Sequence, residues 1–227
     1  MRLRRDGGPP LCIGHRGAAA LAPANTHAAI EAALEAGVDV VEIDVLARPG
    51  IDGLVLAHSG REAAAEPLAL DDALGLIAQS PAGVLLDVKS RGGEQELVES
   101  VRRHDLLDRA LASTTDLSIL RELARRESRL ARSVTYPRNR TRAAALARLP
   151  RALPRRIAAL LEGAGASAAT LNHRVVTREV VTRCHGTGAA VLVWTVNDAS
   201  LAAYLAALGV DGLITDNPAI CRATLEA

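Results

Sequence analysis

The chain has 227 residues, 49% of them hydrophobic, and a formal net charge of +1. This composition supplies a buried core and excludes an intrinsically disordered chain, and the length favours one domain over residues 1–227, with residues 1–10 flexible. The near-neutral charge argues against a protein that binds nucleic acid or an anionic membrane through general electrostatic attraction.

Short apolar runs alternate with amphipathic stretches along the chain. Eight strands that alternate with eight helices, several strands being continuously apolar, indicate parallel strands covered by helices. At this length the pattern favours a single α/β domain with a (β/α)8 TIM barrel fold, and a doubly wound open sheet is the alternative. The predicted strands are 11–16, 38–46, 84–90, 110–113, 131–136, 168–172, 190–196 and 212–215, and the predicted helices are 26–36, 70–79, 94–104, 116–127, 154–162, 177–187, 199–207 and 217–226.

A ninth strand candidate, residues 54–57, follows the second strand too closely for a helical crossover. Parallel strands need a connection of a dozen or more residues, whereas antiparallel strands can be joined by a tight turn. We therefore predict that this segment returns as a hairpin arm beside the second strand, with Pro-Gly-Ile-Asp-Gly at 49–53 as the turn.

Several features bear on compartment and partners. The three cysteines lie far apart, which favours reduced core thiols over a disulfide framework or a zinc site. The basic start of the chain lacks the apolar run of a signal peptide, and charges interrupt every apolar run before it could span a membrane. Segment 136–156 is basic but has one aromatic residue and no nucleic-acid motif, so we interpret it as a solvated helix and loop face. We expect a cytoplasmic protein without stable membrane insertion and without a nucleic-acid partner.

Polar residues cluster where the predicted strands end. In a TIM barrel the functional side chains gather at the C-terminal ends of the strands, so these residues are the candidates for a site. Asp198 and Asp216 also precede helices and are predicted N-caps. The candidates in chain order are His15, Arg16, Glu42, Asp44, His58, Asp87, Lys89, Asn172, His173, Trp194, Asn197 and Asp216.

Three of these candidates are carboxylates on neighbouring strands. Residues two apart on a strand face the same way, so Glu42 and Asp44 should point into the barrel together. Asp87 occupies the corresponding level of the next strand. Oxygen ligands converging in this way suit one Mg²⁺ or Ca²⁺ ion, whereas a single carboxylate would more simply cap a loop.

Lys89 is the only lysine among 27 basic residues. It stands two residues after Asp87 and should face the same cavity, where an interior ammonium group needs carboxylates or a substrate phosphate as partners. Arg16 lies between glycines 14 and 17, and its guanidinium matches phosphate oxygens with two parallel hydrogen bonds. His15 and His58 flank the same region, and a histidine pair beside a phosphate can supply a base and an acid.

The motifs, taken in order, resemble those of the glycerophosphodiester phosphodiesterase family. That family reads HRG, PENT, ExD and HD in this order, and the resemblance runs from about Leu11 to Pro218. The matching segments here are Gly14-His15-Arg16-Gly17, Pro23-Ala24-Asn25-Thr26, Glu42-Ile43-Asp44, His58, Trp194-Thr195-Val196-Asn197-Asp198, Gly209-Val210-Asp211-Gly212 and Ile214-Thr215-Asp216.

The resemblance implies a barrel enzyme that hydrolyses glycerophosphodiesters, which are small-molecule phosphodiester substrates, to glycerol 3-phosphate and an alcohol. It implies further that two histidines form the acid–base pair and that three carboxylates hold one divalent cation. Two basic side chains bind the phosphate, and two further side chains are predicted to line the pocket. In this sequence the roles fall on His15 and His58, on Glu42, Asp44 and Asp87, on Arg16 and Lys89, and on Trp194 and Asn172 respectively.

Four departures from the family pattern leave two alternatives open. Ala24 replaces the usual Glu of PENT, Ser59 replaces the Asp after the second histidine, and Asp87 replaces a Glu. The usual subdomain after that histidine, which helps the family to bind glycerol, is absent, so we expect a more open mouth. The alternatives are a sphingomyelinase D-like or lysophospholipase D-like enzyme that releases a cyclic phosphate, and a non-catalytic barrel that binds a phosphorylated ligand.

Overall fold

The computed structural model describes residues 2–47, 53–64, 66–137 and 152–225. Within them nine strands and eight α-helices are numbered here in chain order. The strands are β1 Leu11–Gly14, β2 Val40–Ala47, β3 Leu54–Leu56, β4 Gly83–Val88, β5 Ala110–Thr114, β6 Ala131–Tyr136, β7 Ala168–Asn172, β8 Ala190–Trp194 and β9 Gly212–Thr215. The helices are α1 His27–Glu35, α2 Leu70–Ala78, α3 Glu94–Arg103, α4 Leu117–Arg126, α5 Ile157–Ala164, α6 Arg178–Gly186, α7 Ala199–Leu208 and α8 Pro218–Leu225.

The sheet closes on itself. Its strand order is β1-β9-β8-β7-β6-β5-β4-β2-β3, and β1 also pairs with β2. All pairings among the eight strands other than β3 are parallel. The predicted TIM barrel is therefore confirmed, and the open sheet is wrong, because the first strand finds partners on both sides.

The extra strand β3 lies outside the closed barrel, paired antiparallel with β2. This confirms the predicted hairpin arm. The proposed turn falls mostly at 49–52, outside the described residues, and residues 138–151 of the basic segment 136–156 lie outside them as well. After β3 the chain reaches α2 through residues 57–69, so only a short connection stands at this edge of the barrel mouth.

The core forms two layers, as strands covered by helices require. One layer packs between the strands and the outer helices and includes Ile30, Leu74 and Leu120. The other fills the barrel interior, where Ile13, Leu85 and Leu192 belong to one buried apolar cluster. This inner layer forms an apolar floor, and the polar strand ends lie above it.

The start of the chain contacts the barrel. Leu3 is buried and packs in the inner cluster, and the backbone N–H of Arg5 donates to Asp211 Oδ1 at 2.9 Å. These contacts involve two residues of the segment, and the flexibility of residues 1–10 stays a prediction. Among the described residues, no helix is both long and apolar enough to cross a bilayer.

Candidate active site

One cavity at the barrel mouth gathers most of the predicted site residues. Because the lining side chains come from strand ends that are far apart in sequence, closure of the barrel is what brings them together. The predicted residues that line it are His15, Arg16, Glu42, His58, Asp87, Lys89 and Trp194, joined by Leu85, Thr135, Thr170 and Ile214.

The three predicted metal-binding carboxylates converge. Asp44 on β2 and Asp87 on β4 are register partners, and Glu42 precedes Asp44 by two residues on the same face. One ligand atom from each lies within 4.8 Å of the others. Burial, reinforced by neighbouring carboxylates, raises the pKa of Glu42 to about 7 and also raises the pKa of Asp87. Buried like charges whose pKa values rise in this way fit a hard cation, which would relieve their repulsion.

Asp44 is the most highly connected of the three carboxylates. Its Oδ1 lies 2.5 Å from Lys89 Nζ, and its Oδ2 lies 3.0 Å from Arg16 Nε and 3.3 Å from His58 Nδ1. Burial alone would raise the pKa of Asp44, but the hydrogen bond with His58 and the charges of Lys89 and Arg16 outweigh it and hold the pKa well below its usual range. Asp44 therefore stays ionised and ties the two basic residues to one point.

Lys89 bridges Asp44 and Asp87. Burial works against its charge, but the carboxylates of Asp87, Asp44 and Glu42 raise the pKa of Lys89 above its ordinary value. The sole lysine of the chain is thus a permanent cation in the cavity, as its position two residues after Asp87 predicted.

Arg16 leaves the strand in a left-handed turn. Its φ of 51° lets its backbone N–H donate to Glu42 Oε2 at 2.7 Å, while its side chain reaches Asp44 and His58. Gly17, which follows at φ 86°, has no room for a Cβ because the backbone of Ala29 would lie 2.5 Å away. This turn ends β1 two residues earlier than predicted and positions both His15 and Arg16.

Asp216 is a candidate site residue to which the sequence analysis gave no role in the site. It was predicted to cap the last helix, but its Oδ1 lies 2.6 Å from His15 Nδ1, and Asn217 instead accepts from the N–H of Ala219. Burial would lower the pKa of His15, but the hydrogen bond with Asp216 and the charge of Glu42 raise it. Asp216 is itself held by Asn197 Nδ2 at 2.5 Å. A polar residue at the last strand end, level with His15, was the available signal.

Replacing Asp216 by Asn is expected to lower kcat substantially, by roughly 10- to 100-fold, while KM changes little. The amide can present a donor to His15 Nδ1 and favour the wrong tautomer of the imidazole. Steady-state kinetics on a phosphodiester substrate measure this effect. The control is Asp198→Asn, because Asp198 caps α7 through the N–H of Leu201 and Asn caps equally well. Equal losses in both variants would contradict an orienting role for Asp216.

Asn25 is a second contributor that was not assigned a role. Its Nδ2 donates to Asp44 Oδ2 at 3.0 Å, and its Oδ1 accepts from the backbone N–H of Asp44 at 3.1 Å. It is buried and has φ 59°, a conformation that Asn tolerates better than most residues. The PxNT motif was the signal for it, and the structure gives the reason: Asn25 locks the carboxylate on which the site converges.

His58 is positioned by the short loop after β3. Its backbone N–H donates to Glu62 Oε2 at 2.9 Å, and Ser59 Oγ lies 3.4 Å from both the backbone N and Oε1 of Glu62. This arrangement is close to a capping box, in which a Ser and a Glu three residues later hold one turn. Glu62 thus holds the backbone of the loop at His58.

The two predicted pocket-lining residues differ in outcome. Trp194 lines the cavity, and its Nε1 donates to the backbone carbonyl of Thr170 at 3.3 Å. Asn172 does not line it: its Oδ1 accepts from the N–H of Arg174 and caps the short 3₁₀ helix His173–Val175. Asn172 is an end-of-strand residue whose side chain satisfies the next turn, which sequence position alone does not distinguish from a pocket residue.

Comparisons with known proteins agree with this geometry. The model of the glycerophosphoryl diester phosphodiesterase family matches residues 15–48 and 79–220. A search of curated proteins found no significant match. Similar solved structures include an Oleispira antarctica phosphodiesterase in complex with its product sn-glycerol-3-phosphate, at 24% identity and TM-score 0.77, covering 96% of this chain and 98% of that one. A glycerophosphodiester phosphodiesterase from Parabacteroides distasonis has 19% identity and TM-score 0.78, covering 96% and 98%. At these identities the structures establish the fold.

Proposed function

This chain belongs to the glycerophosphoryl diester phosphodiesterase family and is a phosphoric diester hydrolase, and from that premise we propose its substrate and mechanism. It hydrolyses glycerophosphodiesters to glycerol 3-phosphate and an alcohol, uses one divalent cation, Mg²⁺ or Ca²⁺, and employs His15 and His58 as the acid–base pair. The observation that carries the proposal is the shared cavity, where both imidazoles lie beside the three carboxylates and the basic side chains of Arg16 and Lys89.

A charge count supports the cation. When all three are ionised, Glu42, Asp44 and Asp87 exceed the two positive charges of Arg16 and Lys89 by one, so the site by itself would repel a phosphodiester anion. A divalent cation held by the three carboxylates reverses that sign. When bound, it would act as a Lewis acid that stabilises charge on the phosphoryl oxygens.

The hydrogen bonds support different roles for the two histidines. To protonate a leaving alcohol, His58 has to react as the imidazolium: Asp44 Oδ2, 3.3 Å from His58 Nδ1, accepts the proton on that nitrogen, which leaves the Nε2–H for the leaving oxygen. His15 Nδ1 instead donates to Asp216, which leaves His15 Nε2 free to accept a proton. His15 is therefore the base that activates water, and His58 is the acid that protonates the leaving alcohol.

Arg16 and Lys89 neutralise the phosphate. Replacing Lys89 by Arg is expected to lower kcat/KM by roughly tenfold or more although the charge is kept, because the larger planar fork cannot occupy the point between Asp44 and Asp87. The kinetics of this variant are compared with those of Arg91→Lys, the reverse exchange at an exposed site two residues later. Full activity of Lys89→Arg would show that a compact ammonium is not required.

The direct test is product analysis. Purified protein is incubated with glycerophosphocholine and Mg²⁺, Ca²⁺ or Mn²⁺ in turn, and glycerol 3-phosphate is measured by a coupled assay. No release with any of the three ions would refute the proposed substrate. Phosphorus NMR of the same reactions distinguishes the alternative mechanism, because a cyclic phosphate product has its own chemical shift.

A further inference from the structure

The barrel mouth is divided into a charged half and a hydroxyl half. The charged groups of the cavity come from β2, β4 and the turns that follow β1 and β3, whereas the inward polar groups of β5, β6 and β7 are hydroxyls. Below both halves lies the apolar inner cluster. The proposed chemistry uses the charged half only and leaves the hydroxyl half without a function.

The hydroxyls form two pairs across neighbouring strands. Ser113 Oγ on β5 lies 2.6 Å from Thr135 Oγ1 on β6, and Ser133 Oγ on β6 lies 2.7 Å from Thr170 Oγ1 on β7. The two serines are fully buried, while Thr135 and Thr170 are 6% and 5% exposed and line the cavity. Each pair thus presents its threonine to the space where substrate binds.

Hydrogen-bond counting shows what this wall can offer. Each hydroxyl has one donor and two acceptor lone pairs, so one bond within a pair leaves one O–H and several lone pairs available. Among the described residues, Thr135 and Thr170 have no other side-chain hydrogen-bond partner. Buried hydroxyls normally use their donors, so a wall of this kind suits a ligand that both donates and accepts.

The chemistry of the wall favours a neutral polyol. Among the described residues that line the cavity, those of β5–β8 carry no charge, so this side offers no carboxylate to pair with an ammonium headgroup. A saturated chain would leave the hydroxyls unpaired at a cost. Trp194 on β8 extends the wall with an apolar ring surface, which suits the carbon-bound face of a polyol.

We propose that Thr135 and Thr170 bind the hydroxyls of the glycerol moiety and determine the preference of the enzyme for phosphodiesters that carry a polyol. The inference rests on the proposed function and extends it. The phosphate lies against the charged half, the glycerol hydroxyls lie against the two threonines, and the leaving alcohol extends toward His58 and the open edge after β3. Recognition therefore comes from the barrel strands themselves.

The test compares two substrates. Thr135→Val and Thr170→Val remove the hydroxyl and keep the shape, and kcat/KM is measured for glycerophosphocholine and for bis(4-nitrophenyl) phosphate, which has no hydroxyl. We expect the ratio of the two constants to fall by roughly 3- to 10-fold in each variant, the value of one or two hydrogen bonds, and further in the double variant. Thr135→Ser and Thr170→Ser, which keep the hydroxyl, should preserve the ratio.

Thr114→Val is the matched control. Thr114 is equally buried on β5, but its Oγ1 accepts from the backbone N–H of Asp116 and it does not line the cavity. It should leave the ratio unchanged. Equal losses on both substrates in the cavity variants, or an unchanged ratio, would overturn the inference. Wild-type protein that hydrolyses bis(4-nitrophenyl) phosphate but not glycerophosphocholine would refute the proposed substrate and this inference with it, whereas an active wild type with an unchanged ratio in the variants refutes the inference alone.

Discussion

His15→Ala is expected to lower kcat by roughly 10²- to 10⁴-fold, the usual contribution of one positioned acid or base. The loss should be large because His15 Nε2 faces the cavity while its Nδ1 is fixed on Asp216, so no other imidazole can take over its position. KM should change far less, because Arg16 and Lys89 remain to bind the phosphate. Steady-state kinetics on glycerophosphocholine measure both constants.

The matched control for this variant is His27→Ala. His27 lies 12 residues further along the chain on α1, is exposed and, among the described residues, pairs only with Glu31 at 3.2 Å. That variant should keep wild-type kinetics. Activity of His15→Ala that equals the wild type would disprove the acid–base assignment and reopen the alternative of a barrel that only binds a phosphorylated ligand.

Removal of divalent cations is expected to abolish most activity, with a loss of roughly 10²-fold or more. A metal ion stabilises the charge that develops in the transition state by several kcal/mol. Dialysis against EDTA, followed by assay before and after addition of Mg²⁺ or Ca²⁺, measures the effect. Without the cation, the carboxylates of Glu42 and Asp87 are left against each other and against the phosphate.

The proposed ligands can be tested by calorimetric titration of the metal. Asp87→Asn should weaken metal binding by at least about tenfold, because loss of a residue that only hydrogen-bonds to a metal ligand already lowers metal affinity by that much. Asp72→Asn, at an exposed position on α2, should leave the affinity unchanged. Full activity in the presence of EDTA, or unchanged affinity in Asp87→Asn, would contradict the metal assignment.

Strand and helix positions were predictable because periodicity is a local property. The bounds of β6, β7 and β9 agree with the predicted segments, and the helices agree within about three residues. The hairpin arm was predictable for a similar reason, since the short interval before β3 allows no helical crossover. Ends of strands were less predictable where the site begins, because Arg16 turns into a left-handed conformation and ends β1 early.

The site was predictable where roles follow from spacing along one strand. Glu42 with Asp44, and Asp87 with Lys89, each lie two apart and face inward together, as the pleat requires. Asn172 failed as a pocket residue because its side chain was needed by the following turn. Ser59 stands where the family has an Asp, and only the structure showed that Glu62 in the loop accepts from the backbone N–H of His58.

By itself the sequence determined the kinds of groups available: a barrel, three carboxylates, two histidines, one lysine and one arginine at strand ends. Only the tertiary structure decided which of them act on one another. Asp216 reaches His15 across 201 positions, and Asn25 holds Asp44 across 19. The pairing of Thr135 with Ser113 and of Thr170 with Ser133 likewise arises only when neighbouring strands come into register. The physical reason is the closure of the barrel, which fixes which strand ends face each other. Contacts across the barrel mouth have no characteristic spacing in the sequence, so no periodic pattern predicts them.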